Sequence, residues 1–102
     1  MLKITFYAGG IKIEGHAFFN PDGEDIVCAG ISAIVLGGLN WFEQKNVEIK
    51  RDAKKDIFMF ELKNSDFANL IALQVMQTQI NAVAKVYPKY ITIINSSREI
   101  II

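Results

Sequence analysis

Seventeen consecutive residues, Ile26 to Phe42, carry no charge, and no other stretch limits the fold as much. The run is far longer than a strand of about 5–6 residues, and it lies at the lower limit of the roughly 20 that cross a bilayer. Ser32, Asn40, Gly30, Gly37 and Gly38 interrupt it, and no basic cluster flanks it. A membrane span is therefore rejected, and the stretch reads as a buried helix from about Ile26 to Trp41 or Phe42. Gly37 and Gly38 each weaken a helix by about 1 kcal/mol relative to alanine, so burial has to stabilise it. Gly30, Ala33 and Gly37 recur at spacings of three and four. They form a small-residue stripe expected to admit another helix or the sheet closely.

The remaining elements follow from periodicity. Leu2, Ile4 and Phe6 alternate with Lys3, Thr5 and Tyr7 as in a half-buried strand. Ala8-Gly9-Gly10 is read as a turn whose glycines supply positive φ, and Ile11 to Glu14 is a second strand pairing back on the first. Continued alternation puts His16 on the polar face with Lys12 and Glu14. The Asn-Pro and Asp-Gly pairs mark Phe18 to Glu24 as a loop. Val47 to Lys50 is a third strand, Arg51 to Asp56 a charged, solvated turn, and Ile57 to Leu62 a fourth strand. That fourth strand is apolar on both faces apart from Glu61, which calls for cover on both sides. A second copy of the chain is the expected second cover, making a homodimer.

Asn64 or Ser65 is the expected cap of a second helix, with Leu70, Leu73, Met76, Ile80, Val83 and Ala84 on one stripe. Asn69 interrupts that stripe and Gln77 lies near its edge, while Gln74, Thr78, Asn81 and Lys85 face solvent. Pro88 stops the helix, and Tyr90 to Asn95 is a fifth strand. Ile100 to Ile102 is expected to pair at a sheet edge or reach a partner. The order ββαββαβ over residues 1–102 predicts a single α+β domain, a mainly antiparallel sheet with two helices packed on it.

An apolar fraction of 51% with eleven residues of each charge sign describes a globular chain, with no electrostatic footprint for nucleic acid or acidic lipid. The lone cysteine excludes an internal disulfide, and the N-terminus lacks the apolar core of a signal peptide. A cytoplasmic location is expected.

The only histidine and the only cysteine, His16 and Cys28, lie twelve positions apart. Asp25 is placed to cap the helix that carries Cys28 at its third position. There, unpaired N–H groups and the helix dipole favour a thiolate. Ser32 follows one turn later on the same face. These are the parts of a cysteine nucleophile with its base. Each residue also has a plainer reading: Cys28 as an inert buried thiol, His16 as a surface residue, Asp25 as a cap alone, and Ser32 bonded back to the Cys28 carbonyl. One histidine and one cysteine leave a zinc site short of ligands. The paired glycines are in the wrong context for a phosphate loop, so no metal or cofactor is expected.

The Gly15-His16-Ala17 triplet, the spacing to Cys28, the Asp25-Ile26-Val27-Cys28-Ala29 run and Ser32-Ala33 resemble the Prp family of ribosomal-processing cysteine proteases. Length and element order extend the resemblance to essentially the whole chain. It implies that His16 and Cys28 are the catalytic pair and that Gly15, Asp25 and Ser32 support them. It also implies a substrate, the N-terminal extension of the large-subunit ribosomal protein L-twenty-seven, ending in paired aromatic residues and then a small one. The expected chemistry is acyl transfer, with first-turn N–H groups including that of Cys28 facing the oxyanion. Phe18, Phe19 and Gly23 are expected to form a substrate loop over the site, the plainer reading of the two phenylalanines being a cap on the core edge. The rival expectation is a non-catalytic dimeric binding module associated with ribosome biogenesis.

Overall fold

The computed structural model describes residues 1–16 and 25–96. Five strands, β1 (Leu2–Tyr7), β2 (Gly10–Glu14), β3 (Val47–Asp52), β4 (Ile57–Leu62) and β5 (Ile91–Asn95), form one sheet. Two helices, α1 (Ile26–Leu39) and α2 (Phe67–Val86), complete the expected ββαββαβ order. The spatial order is β3-β4-β2-β1-β5. The pairs β1–β2, β2–β4 and β3–β4 are antiparallel, and β1–β5 is parallel.

This topology puts both helices on one face. β2 and β3 run the same way with α1 between them; β4 and β5 run the opposite way with α2 between them. The two crossovers therefore move in opposite directions along the sheet, and two right-handed crossovers of that kind lie on the same side. Val27, Ile31 and Val35 of α1 and Leu73, Met76 and Ile80 of α2 meet the inward row Ile4, Phe6, Ile11 and Phe60 in a single core. The register carries this row across the sheet, with Ile4 opposite Ile13, Phe6 opposite Ile11 and Ile11 opposite Phe60.

Several local expectations change. α1 ends at Leu39, and only the Val27, Ile31, Val35 stripe is buried, while Ile26 and Leu36 are exposed. Nothing lies within 4 Å of where a side chain would start at Gly30 or Gly37, and Ala33 is exposed. The close approach is instead at Gly38, where a Cβ would overlap the buried Met76 side chain. Neither Gly9 nor Gly10 has positive φ; the hairpin tip is tied to the sheet by the Leu62 N–H, which donates to the Gly9 carbonyl at 2.7 Å. β3 continues through Arg51 and Asp52, paired with Phe58 and Ile57, so the turn is confined to residues 53–56. Asp66 caps α2, not Asn64 or Ser65. Its carboxylate accepts the Asn69 N–H at 2.9 Å, while Asn64 accepts the Asp66 N–H at 3.1 Å. Asn69 sits in the buried stripe because its amide also donates to the Asn64 carbonyl at 2.9 Å. α2 stops at Val86, one residue short of the position before Pro88, where helical backbone is disfavoured.

The fourth strand does have apolar side chains on the open face, and these, Ile57 and Met59, are half-buried within one chain. Larger exposed apolar groups are on the outside of α2, where Phe67, Ile71 and Val75 recur every four residues. Among the described residues, no helix is long and apolar enough to cross a membrane. Ile100 to Ile102 lie outside the described residues.

Candidate active site

Gly15 ends β2 with φ +81°, a left-handed conformation that glycine adopts without the steric penalty of a Cβ. A Cβ there would lie 2.9 Å from the Met1 carbonyl oxygen. The consequence is a break in the strand's alternation. His16 does not join Lys12 and Glu14, which pair with each other at 3.2 Å on the open face. It lines a pocket of about 500 Å³ together with Ile13 and Cys28.

Among the described residues, four elements line that pocket. α1 contributes Cys28 from its first turn and Ile31, Ser32, Val35 and Leu36 from further along, and the end of β2 contributes Ile13, Gly15 and His16. The β3–β4 hairpin contributes Arg51, Asp52, Ala53, Asp56, Ile57 and Phe58. Leu2 completes the lining, so the pocket has an apolar wall and a polar rim.

Asp25 has extended backbone, φ −95° and ψ 97°, and its Oδ1 accepts the Cys28 N–H at 2.9 Å. Its carbonyl accepts the Ala29 N–H at 3.0 Å, the first helical bond of α1. Cys28 is thereby fixed at the third helical position, half-buried. The same bond changes the expectation for the oxyanion, because the Cys28 N–H is already engaged by the cap. The first-turn donors ahead of it are the N–H groups of Ile26 and Val27. Ser32 is exposed one turn beyond Cys28 and lines the pocket. Among the described residues its hydroxyl makes no bond back to the Cys28 carbonyl, unlike Thr78, whose Oγ1 donates to the Gln74 carbonyl at 2.8 Å.

Sequence reasoning missed Asp56. The charged segment read as a solvated turn places the Asp56 carboxylate Oδ1 3.4 Å from His16 Nε2, with both side chains about half exposed. The Asp56 carbonyl also accepts the Gly15 N–H at 3.0 Å. Phe18, Phe19 and Gly23 of the expected substrate loop lie outside the described residues.

Residues 1–92 match the family model described as "Cysteine protease Prp". The ribosomal processing cysteine protease Prp of Mycoplasma pneumoniae is 34% identical over 92 residues, covering 90% of this chain and 92% of that protein. Its counterpart in Mycoplasma genitalium is 34% identical over 99 residues, covering 97% and 100%. The fold matches a crystal structure of the S. aureus ribosomal processing protease Prp in complex with a covalently linked product peptide. That match has a TM-score of 0.84 at 22% identity, covering 94% of this chain and 100% of that one. A single α+β domain with a cysteine and a histidine at one pocket thus falls in a class of thiol peptidases. The chain belongs to the Prp family of ribosomal processing cysteine proteases.

Proposed function

We propose that this chain is a cysteine endopeptidase in which Cys28 is the nucleophile and His16 its base. Its proposed substrate is the short N-terminal extension of the large-subunit ribosomal protein L-twenty-seven, removed in support of ribosome assembly. The observation that carries this reading is the convergence of the only histidine and the only cysteine on one pocket at the start of α1.

The chemistry follows from that placement. The Cys28 thiol gives its proton to His16, and the positive end of α1 stabilises the sulfur anion. The thiolate attacks the scissile carbonyl carbon. The resulting oxyanion faces the first-turn N–H groups of Ile26 and Val27. The C–N bond breaks as His16 passes its proton to the leaving amine, and a thioester remains on Cys28. Water then adds to the thioester while His16 takes up its proton, and the C–S bond breaks to release the carboxylate. In this scheme Gly15 turns His16 into the pocket, Asp25 fixes the turn that holds Cys28, and Ser32 contributes a hydroxyl to the rim. The apolar wall suits a substrate with aromatic residues next to the cut. The S. aureus protein, captured with a product peptide and with a substrate peptide, shares this fold and lends the reading support.

The test is incubation of the purified protein with the extended ribosomal protein and measurement of the product masses. Wild type removes the extension at a single position, whereas Cys28→Ala and His16→Ala leave it intact. Full turnover by either variant would sink the assignment. We further propose a homodimer, supported by the apolar row Phe67, Ile71 and Val75 that one chain leaves exposed. A monomeric mass in solution at micromolar concentration would count against it.

A further inference from the structure

We propose that Asp56 is a positioning residue for His16, selecting the ring tautomer that presents Nδ1 to the Cys28 thiol. This rests on the peptidase reading above and adds a third residue to it.

Asp52 Oδ1 accepts the N–H groups of Lys54 and Lys55 at 3.1 and 3.2 Å, which folds the hairpin connection back on itself. The last turn residue, Asp56, then has φ +52°. Glycine is the least costly residue at such an angle, and aspartate and asparagine are the side chains that tolerate it best. The backbone by itself accounts for an aspartate there, and the carboxylate's own contact is a separate observation. What the carboxylate meets is His16 Nε2, at 3.4 Å. The backbone repeats the contact, since the Asp56 carbonyl holds the N–H of Gly15, the residue next to His16, at 3.0 Å. Asp56 therefore grips the segment carrying His16 by main chain and side chain together.

A neutral imidazole carries one proton, on either nitrogen, and the hydrogen bond made by one nitrogen decides the role of the other. A carboxylate 3.4 Å from Nε2 favours the proton on that nitrogen, which leaves the Nδ1 lone pair to receive the thiol proton. Once His16 is doubly protonated, the same carboxylate faces the cation and holds the ring in place until Nδ1 delivers its proton to the leaving amine. No proton moves to Asp56 in either step. Among the described residues, the charged groups around this contact are few. Arg51 and Asp52 line the same pocket from the hairpin, and Asp25 and Cys28 come from α1.

The experiment uses two substitutions that separate backbone from carboxylate. Asp56→Gly suits the left-handed backbone and removes the side chain; Asp56→Asn keeps the shape and a weaker acceptor. Both are expected to retain a wild-type melting temperature and KM while kcat falls by about tenfold or more, as when a base loses its orienting partner. The chain's single histidine allows a second readout, the ring nitrogen NMR shifts. In Cys28→Ala, at a pH where the ring is neutral, the proton is expected on Nε2, and adding Asp56→Asn shifts part of the population to Nδ1. Wild-type kcat in both Asp56 variants, or a tautomer population that Asp56→Asn does not move, overturns the proposal. If instead Cys28→Ala and His16→Ala are fully active, the peptidase reading fails while the tautomer measurement still decides the role of Asp56.

Discussion

The two helices of this protein start with the same device and use it differently. Asp25 and Asp66 each have extended backbone, and each carboxylate accepts the N–H of the third helical residue at 2.9 Å. At α2 that third residue is Asn69, which is 5% exposed and folds its amide back to Asn64, so the cap closes on itself. At α1 the third residue is Cys28, which lines the same pocket as His16. A capped helix start is thus not a sign of chemistry. The difference lies in what stands across from the third residue, and at α1 a glycine-directed strand end and a hairpin turn put a histidine there.

The largest effect should come from exchanging the roles of the third residues. Cys28→Ala is expected to lower kcat/KM on the extended substrate by about a thousandfold or more with little change in melting temperature. Asn69→Ala is expected to leave kcat/KM near wild type while costing about 1 kcal/mol of stability by denaturant titration, because the bond from the buried Asn69 amide to the Asn64 carbonyl is lost. If Asn69→Ala proved catalytically damaged and fully stable, the contrast between a closed and an open cap would collapse.

Next in size is the strand end, which has no counterpart at α2. Gly15→Ala forces a Cβ into left-handed backbone and against the Met1 carbonyl. It should destabilise by about 2 kcal/mol, and it should also lower activity because His16 is turned out of the pocket. A variant that kept both stability and turnover would show that the turn at Gly15 does not place His16.

The smallest effects are those of the caps. Asp25→Ala and Asp66→Ala should each cost about 1 kcal/mol, measured as a shift in unfolding midpoint. Only the first should also reduce kcat/KM, by severalfold, as the turn bearing Cys28 frays. Equal catalytic losses in the two variants would mean that general stability, not the local turn, sets the rate.

Most of the fold could be read from the residues because the strands alternate cleanly and α2 has a single apolar stripe. α1 was harder for a physical reason: nearly every side is apolar, so spacing proposed a small-residue face at Gly30, Ala33 and Gly37 while the actual close contact is Gly38 on Met76. The α2 cap involved three adjacent polar residues, and only geometry decides that Asp66 caps while Asn64 serves Asp66 and Asn69. In the candidate site, His16, Cys28 and Asp25 stand in short motifs and were visible. Alternation beyond Glu14 failed because one positive φ reverses it, and Asp56 stayed hidden because a left-handed aspartate in a charged turn looks the same in sequence as any solvated one.

The parallel pairing of β5 with β1 sets an order of events during synthesis. β1 carries Leu2, part of the pocket wall, and among the described residues its outer edge is covered by Ile91 to Asn95. Until Ile91 to Asn95 leave the ribosome, β1 keeps one edge unpaired, and sheet completion waits on a contact between strands far apart in the chain. The pocket therefore gains its full support last.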